Sequence, residues 1–204
     1  MSYQDDLVRL LVDAGALRFG EFTLKSGASS PFFVNLGDVA TGHQLAGLGV
    51  IMAQALDDHF PLCNHLFGPA YKGIVMVSAI AQAASLELHK DLPFFYDRKE
   101  RKAHGEGGSF VGKLPVDGDR VVVIDDVYSS GGTKVEAVKM IDQTFGMRPM
   151  GILVAVDRRP RGVALDPALP PMASIVDLPF LVDWLARNEP AHVGSVLRFY
   201  EEGA

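Results

Sequence analysis

Residues 121–134 read VVVIDDVYSSGGTK: a β-branched apolar run, two adjacent acids, a string of small residues, then a helical pattern opening at Thr133. That order suits a phosphate monoester on a polyol. Backbone N–H groups from Ser129 to Thr133, with the positive end of the following helix, can surround the phosphate. Asp125 and Asp126, projecting from the strand end, can take hydroxyls or a hydrated cation. An isolated acid pair or glycine pair would suit a tight turn capped by Asp126. With strand, acids, small loop and helix in register, a sugar-phosphate cup is the better reading.

A second cluster places Arg98, Lys99, Arg101, Lys102 and His104 within seven residues, followed by Gly105, Gly107 and Gly108. The chain as a whole is acidic, with 19 Lys+Arg against 25 Asp+Glu and a formal net charge of −6. A mobile basic lid is the natural reading of so local a concentration; a solvated hairpin with Glu100 and Glu106 as partners is the alternative. GPAYKGI offers Tyr71 and Lys72 at a helix start, again a place for an anion. It is not a P-loop, because Gly73 and Ile74 follow Lys72 where Ser or Thr is needed. Arg158, after the run GILVAVD, can grip a carboxylate bidentately from the sheet rim, or pair with Asp157 or Asp166.

Elements that position these groups alternate along the chain. Leu7, Leu10, Leu11 and Ala14 mark an amphipathic helix over 4–14. FTLKSG and SPFFVNL pattern as short strands, and Thr41 can cap a helix carrying Leu45, Leu48, Met52, Ala55 and Leu56. Apolar runs at 65–67, 93–96, 121–124 and 151–156 then alternate with helical patterns at 73–88 and 133–145, which is an α/β signature with a parallel sheet. Ligands of such sheets bind at the strands' carboxyl ends, so loops 68–73, 97–112, 125–133 and 157–162 are expected on one rim. A last strand, ASIVDL, and two helices near 179–188 and 190–201 close the chain.

The 204 residues are 48% hydrophobic, enough for one domain with an adequate core. The acid excess argues against coating nucleic acid. One cysteine, Cys63, excludes an internal disulfide and a Cys-based zinc site and favours a cytoplasmic setting. The start MSYQDDLVRL has no signal-peptide pattern, and no run is apolar enough for a membrane span, so a soluble protein is expected. Cys63 reads as a packing residue, Trp184 as core, and His43, His59, His65, His89 and His192 lack ligand spacing.

The segment 121–134 resembles the ribose-phosphate motif of type I phosphoribosyltransferases, which bind phosphoribosyl pyrophosphate (PRPP). FTLKSG with SPFFVN, FGPAYKGI and YDRKERKAHGEGGSFVG further resemble orotate phosphoribosyltransferases, in order over nearly the whole chain. The resemblance implies a central parallel sheet flanked by helices, with a hood from about 1–40 and 158–204. It implies Mg²⁺-dependent transfer of ribose 5-phosphate from PRPP to N1 of orotate, by a homodimer with shared sites. Asp125, Asp126, Val127, Tyr128, Ser129, Ser130, Gly131, Gly132 and Thr133 would hold the ribose 5-phosphate. Tyr71, Lys72, Arg98, Lys99, Lys102 and His104 would hold pyrophosphate, with Lys25 also reaching PRPP. Lys25, Phe33, Val34, Ser129 and Arg158 would surround orotate. The catalytic set implied is Lys102, His104, Asp125, Asp126, Arg98 and Lys99, with Mg²⁺ held mainly by PRPP oxygens and water and by Asp125 or Asp126 if by protein. Four positions depart from the bacterial pattern: Tyr128 replaces an aliphatic, Ser129 a threonine, Val34 a second aromatic and Ala28 a basic residue.

Overall fold

The computed structural model describes residues 2–24, 27–99, 109–129 and 131–203. The chain opens with helix α1 (Tyr3–Asp13), started by a Ser2–Asp5 capping box and burying Leu7, Val8 and Leu11. Strands β1 (Leu17–Thr23) and β2 (Ser29–Val34) form an antiparallel hairpin with a register shift between Phe19 and Phe22. β1 thus begins five residues before the expected FTLKSG strand, because Leu17 to Phe19 pair with Val34 to Phe32. Helix α2 (Gly42–His59) is capped as expected by Thr41, with Gln44 reaching back to complete a capping box.

The alternating part follows as β3 (His65–Phe67), α3 (Lys72–Glu87), β4 (Phe94–Asp97), β5 (Phe110–Gly112), β6 (Val121–Tyr128), α4 (Gly132–Phe145), β7 (Gly151–Asp157) and β8 (Met172–Val176). The chain ends with α5 (Leu178–Asn188), a 3₁₀ turn at 190–192 and α6 (Val193–Glu202). Six strands make one sheet in the order β5-β4-β3-β6-β7-β8, parallel throughout except for β5. β8 is the far edge of this sheet, so the C-terminal segment supplies an edge strand as well as helices over the hairpin.

The run VVVI is covered on both faces, as its continuous apolarity predicts. Val122 and Ile124 join the larger core with α1, α2 and α3, while Val121 and Val123 face α4 through Ala137, Val138 and Ile141. The strand β5 was not anticipated, being only three residues after a glycine-rich run. It is held by Phe110, whose ring lies 5.8 Å from Phe95, 6.1 Å from Phe67 and 5.1 Å from Phe145. Phe110 is partly buried, so its packing contributes less than the roughly 1.5–3 kcal/mol of a fully buried ring. His65 pins the next loop, its Nε2 donating to the Lys113 carbonyl at 2.7 Å and its Nδ1 lying 3.2 Å from Asp119.

Candidate active site

The acid pair does not lie beyond the strand end, as the sequence suggested. β6 runs four residues past Ile124 because β7 keeps pairing with it: Asp125 opposite Val154, Val127 opposite Val156, Tyr128 opposite Asp157. Within the strand, each carboxylate is met by a lysine from a helix on a different face of the sheet. Asp125 pairs with Lys134 of α4 at 2.6 Å and Asp126 with Lys72 of α3 at 2.7 Å. Each also accepts from the next backbone amide, Asp125 from Asp126 N–H at 2.8 Å and Asp126 from Val127 N–H at 2.7 Å. Burial pushes the Asp125 carboxyl above its ordinary value, with the Asp126 charge adding to the rise and Lys134 opposing it. Lys134 escaped the sequence reading, although a cation in a helix's first turn is itself a signal.

The cup follows directly. Gly131 adopts φ +80°, and a Cβ there would lie 2.6 Å from the Tyr128 hydroxyl, so both backbone and space require glycine. α4 starts at Gly132 rather than Thr133 and has no side-chain cap, which leaves its first amides and the positive end of its dipole for a ligand. Tyr128 offers the cup no side chain. It is 2% exposed, its hydroxyl accepts from Asp166 N–H at 3.4 Å, and the Arg159 guanidinium lies 5.2 Å over its ring. This is the altered packing that the aliphatic-to-tyrosine departure foreshadows.

The 68–73 loop meets the cup from the side. A Cβ on Gly68 would lie 2.3 Å from the Gly73 carbonyl oxygen, so the loop's ends touch backbone to backbone. Asp97, buried at the end of β4, accepts from Ala70 N–H at 2.6 Å and fixes the middle of the loop. Tyr71 is 70% exposed, and Lys72 turns toward Asp126. At the base of the basic segment Arg98 N–H donates to the Ser109 carbonyl at 2.8 Å, and Lys99 lies 3.9 Å from Asp97. Lys102 and His104, together with Lys25 and Ser130, lie outside the described residues.

Arg158 is buried, and its partners are neither Asp157 nor Asp166. Its Nη2 donates to Ser30 Oγ at 2.8 Å, and its guanidinium carbon lies 4.8 Å from the Phe32 ring and 5.5 Å from Phe199. Asp157 instead takes Arg159 through both carboxylate oxygens, Nε reaching Oδ1 at 3.1 Å and Nη2 reaching Oδ2 at 2.6 Å. Burial lowers the Arg158 guanidinium from the usual arginine value. The backbone N–H of Arg158 donates to the Tyr128 carbonyl at 3.0 Å, so this arginine and the phosphate cup share one strand-end junction. Phe33 lies on the other side of β2 from Phe32, 5.6 Å from Phe22 and under Arg18, whereas Val34 packs into the core.

A parallel sheet whose β6 carries an acid pair and leads through a left-handed glycine into an uncapped helix, with Lys72 against that pair and Arg98 and Lys99 at the end of β4, is the arrangement expected of a phosphoribosyl-transferring enzyme. Residues 45–166 match the phosphoribosyl transferase domain family. Over 198 residues the chain is 43% identical to the orotate phosphoribosyltransferase of Pseudomonas fluorescens strain Pf-5, covering 93% of this chain and 91% of that one. Among solved structures it is similar to the orotate phosphoribosyltransferase of Francisella tularensis, with TM-score 0.77, 28% identity and coverage of 94% and 96%. It also resembles the UMP synthase of Leishmania donovani, with TM-score 0.78, 29% identity, 97% of this chain and 42% of that one. The chain belongs to the orotate phosphoribosyltransferase family.

Proposed function

We propose that this enzyme transfers the ribose 5-phosphate of PRPP to N1 of orotate, giving orotidine 5′-monophosphate and pyrophosphate in pyrimidine synthesis. One observation carries the reading: a buried arginine, Arg158, lying over the Phe32 ring, is tied through Tyr128 to an uncapped helix N-terminus beside two carboxylates. A planar carboxylate-bearing ring suits the first, a phosphorylated sugar the second. Orotate is already an anionic nucleophile, so alignment with the anomeric carbon and stabilisation of the departing pyrophosphate are the main tasks. Asp125 and Asp126 meet the ribose hydroxyls, and the amides from Ser129 to Thr133 hold the 5-phosphate. Lys72, Arg98, Lys99, Lys102 and His104 gather over the pyrophosphate. Lys25, Phe33, Val34 and Ser129 complete the orotate surroundings.

The donor set fits Mg²⁺ held chiefly by substrate. Among the described residues no group of three or more His, Cys, Asp or Glu could hold a metal ion, and both acids of the pair are engaged by lysines. When bound, the cation neutralises pyrophosphate charge through PRPP oxygens and water, with Asp125 or Asp126 as the protein ligand if there is one. Residues 1–204 act as one domain in a cytoplasmic homodimer whose basic segment serves the neighbouring site. No helix among the described residues is long and apolar enough to cross a membrane.

The test is a panel of bases with PRPP and Mg²⁺. An absorbance change with orotate and none with uracil, adenine or guanine is expected, abolished by EDTA and restored by Mg²⁺. Turnover of another base in preference to orotate would overturn the assignment. Subunit sharing is tested by refolding Lys102→Ala with Arg158→Ala: about a quarter of wild-type activity is expected, since half the dimers are mixed and half their sites intact. No recovery after demonstrated exchange would reject it.

A further inference from the structure

Lys134 occupies an unfavourable place. It lies in the first turn of α4, where the helix dipole disfavours a cation, and it is only 5% exposed. Its three N–H bonds meet three acceptors: the Asp125 carboxylate at 2.6 Å, the Val127 carbonyl at 2.5 Å and the Thr133 hydroxyl at 3.4 Å. Desolvation offsets much of the attraction in a buried ion pair, so net stability is a weak reason for one. The acceptors do share a location, on β6 and α4 at the two ends of the cup. Lys134 fixes one Asp125 oxygen while Asp126 N–H fixes the other. Without the ammonium, a buried carboxylate would stand next to the charge of Asp126 with no opposing group.

We propose that Lys134 is a positioning residue for phosphoribosyl transfer: its ammonium holds the Asp125 carboxylate, and with it the β6 end of the cup, in the orientation that meets the ribose of PRPP. The inference rests on the reading of Asp125 as a ribose contact. Lys72 is not its equivalent. The Lys72 side chain is 46% exposed and can leave Asp126 for a ligand, whereas the Lys134 side chain, at 6%, is enclosed.

The test is a double-mutant cycle with steady-state kinetics and calorimetric PRPP–Mg²⁺ binding. Lys134→Met is expected to raise the KM for PRPP by about tenfold to a hundredfold, as loss of a group orienting a ligand-binding carboxylate does. The KM for orotate should stay within about twofold, because an orienting defect at the cup is selective. Lys134→Arg, which keeps the charge, should recover part of the loss. Lys134 acts through Asp125, so Asp125→Asn and Asp125→Asn/Lys134→Met should bind PRPP equally. A KM for PRPP near wild type in folded Lys134→Met, or a further loss of PRPP binding in the double variant, overturns the proposal. If Lys134→Met alone does not fold, the pair carrying Asp125→Asn buries no unpaired acid and decides by itself. Wild-type PRPP binding by Asp125→Asn would instead overturn the underlying reading of the acid pair.

Discussion

Replacing Arg158 by lysine separates charge from shape. The guanidinium carbon lies 4.8 Å from the Phe32 ring and 5.5 Å from Phe199, two rings set edge to face, and the group spends one N–H on Ser30, leaving further N–H groups to form two parallel bonds with a carboxylate. Lysine keeps the positive charge but makes point contacts, so one charge-assisted hydrogen bond, worth about 1.5–3 kcal/mol, is lost to orotate. That converts to roughly a 10- to 150-fold rise in the KM for orotate. The KM for PRPP should move by no more than about twofold, since uniform binding of the other substrate is untouched. The stacking carries a stability cost: losing cation–π contact with the rings removes about 0.5–2 kcal/mol. At roughly 2–4 °C per kcal/mol for a chain of this size, Tm should fall by about 1–8 °C. Initial rates over a grid of both substrates, with a thermal melt, measure all three. Equal losses for orotate and PRPP would refute the reasoning and make Arg158 a scaffold residue.

Gly131→Ala should raise the KM for PRPP at least about tenfold while sparing orotate, because a Cβ at φ +80° meets the Tyr128 hydroxyl at 2.6 Å; calorimetry with PRPP checks it, and unchanged affinity would count against the cup. Gly73→Ala should lower Tm by several degrees and impair turnover together, since its Cβ would lie 2.6 Å from the Gly68 carbonyl carbon; a normal melt would show that the 68–73 loop can shift. Burial pushes the Cys63 thiol up to about 11 from an ordinary 9.0. The folded chain therefore keeps a proton that the unfolded chain loses between those values, and stability falls as pH rises through that interval by roughly 2–3 kcal/mol from this group. Cys63→Ala should show a shallower decline of urea midpoint from pH 9 to 11, and an identical slope would refute the linkage.

Much of the frame was legible because it rests on local pattern. Thr41 announced α2, the unbroken VVVI announced a strand covered on both faces, and the small residues after the acids announced a helix N-terminus. What stayed hidden depends on partners distant along the chain. β6 extends to Tyr128 only because β7 supplies ladder partners there, and β5 exists because Phe110 finds Phe67, Phe95 and Phe145. Arg158 could be placed at the rim from its position after an apolar run, but nothing near it in sequence names Phe199 as its neighbour. Asp97 and Lys134 read as ordinary charges until the fold sets them against Ala70 and Asp125. Where the site is made of backbone it was readable, and where it is made of side chains from separate elements it was not.

The antiparallel pairing of β4 with β5 has a geometric corollary. Arg98 N–H and the Ser109 carbonyl are bonded at 2.8 Å, so the two ends of the ten-residue span 99–108 are fixed at one spot on the sheet. A closed tether of that length extends no farther than about half its contour, near 18 Å at 3.3–3.6 Å per residue. The backbone of any lysine or histidine in that span is held within that radius of the end of β4, and its charged end reaches farther only by the length of its own side chain. In a dimer with shared sites, that reach becomes a ruler for assembly: the Asp97 of one subunit must sit within that radius plus one side-chain length of the other subunit's cup. Removing four residues from 99–108 would shrink that radius by about 7 Å, and a tether too short to span would leave two intact pockets that never receive their cations.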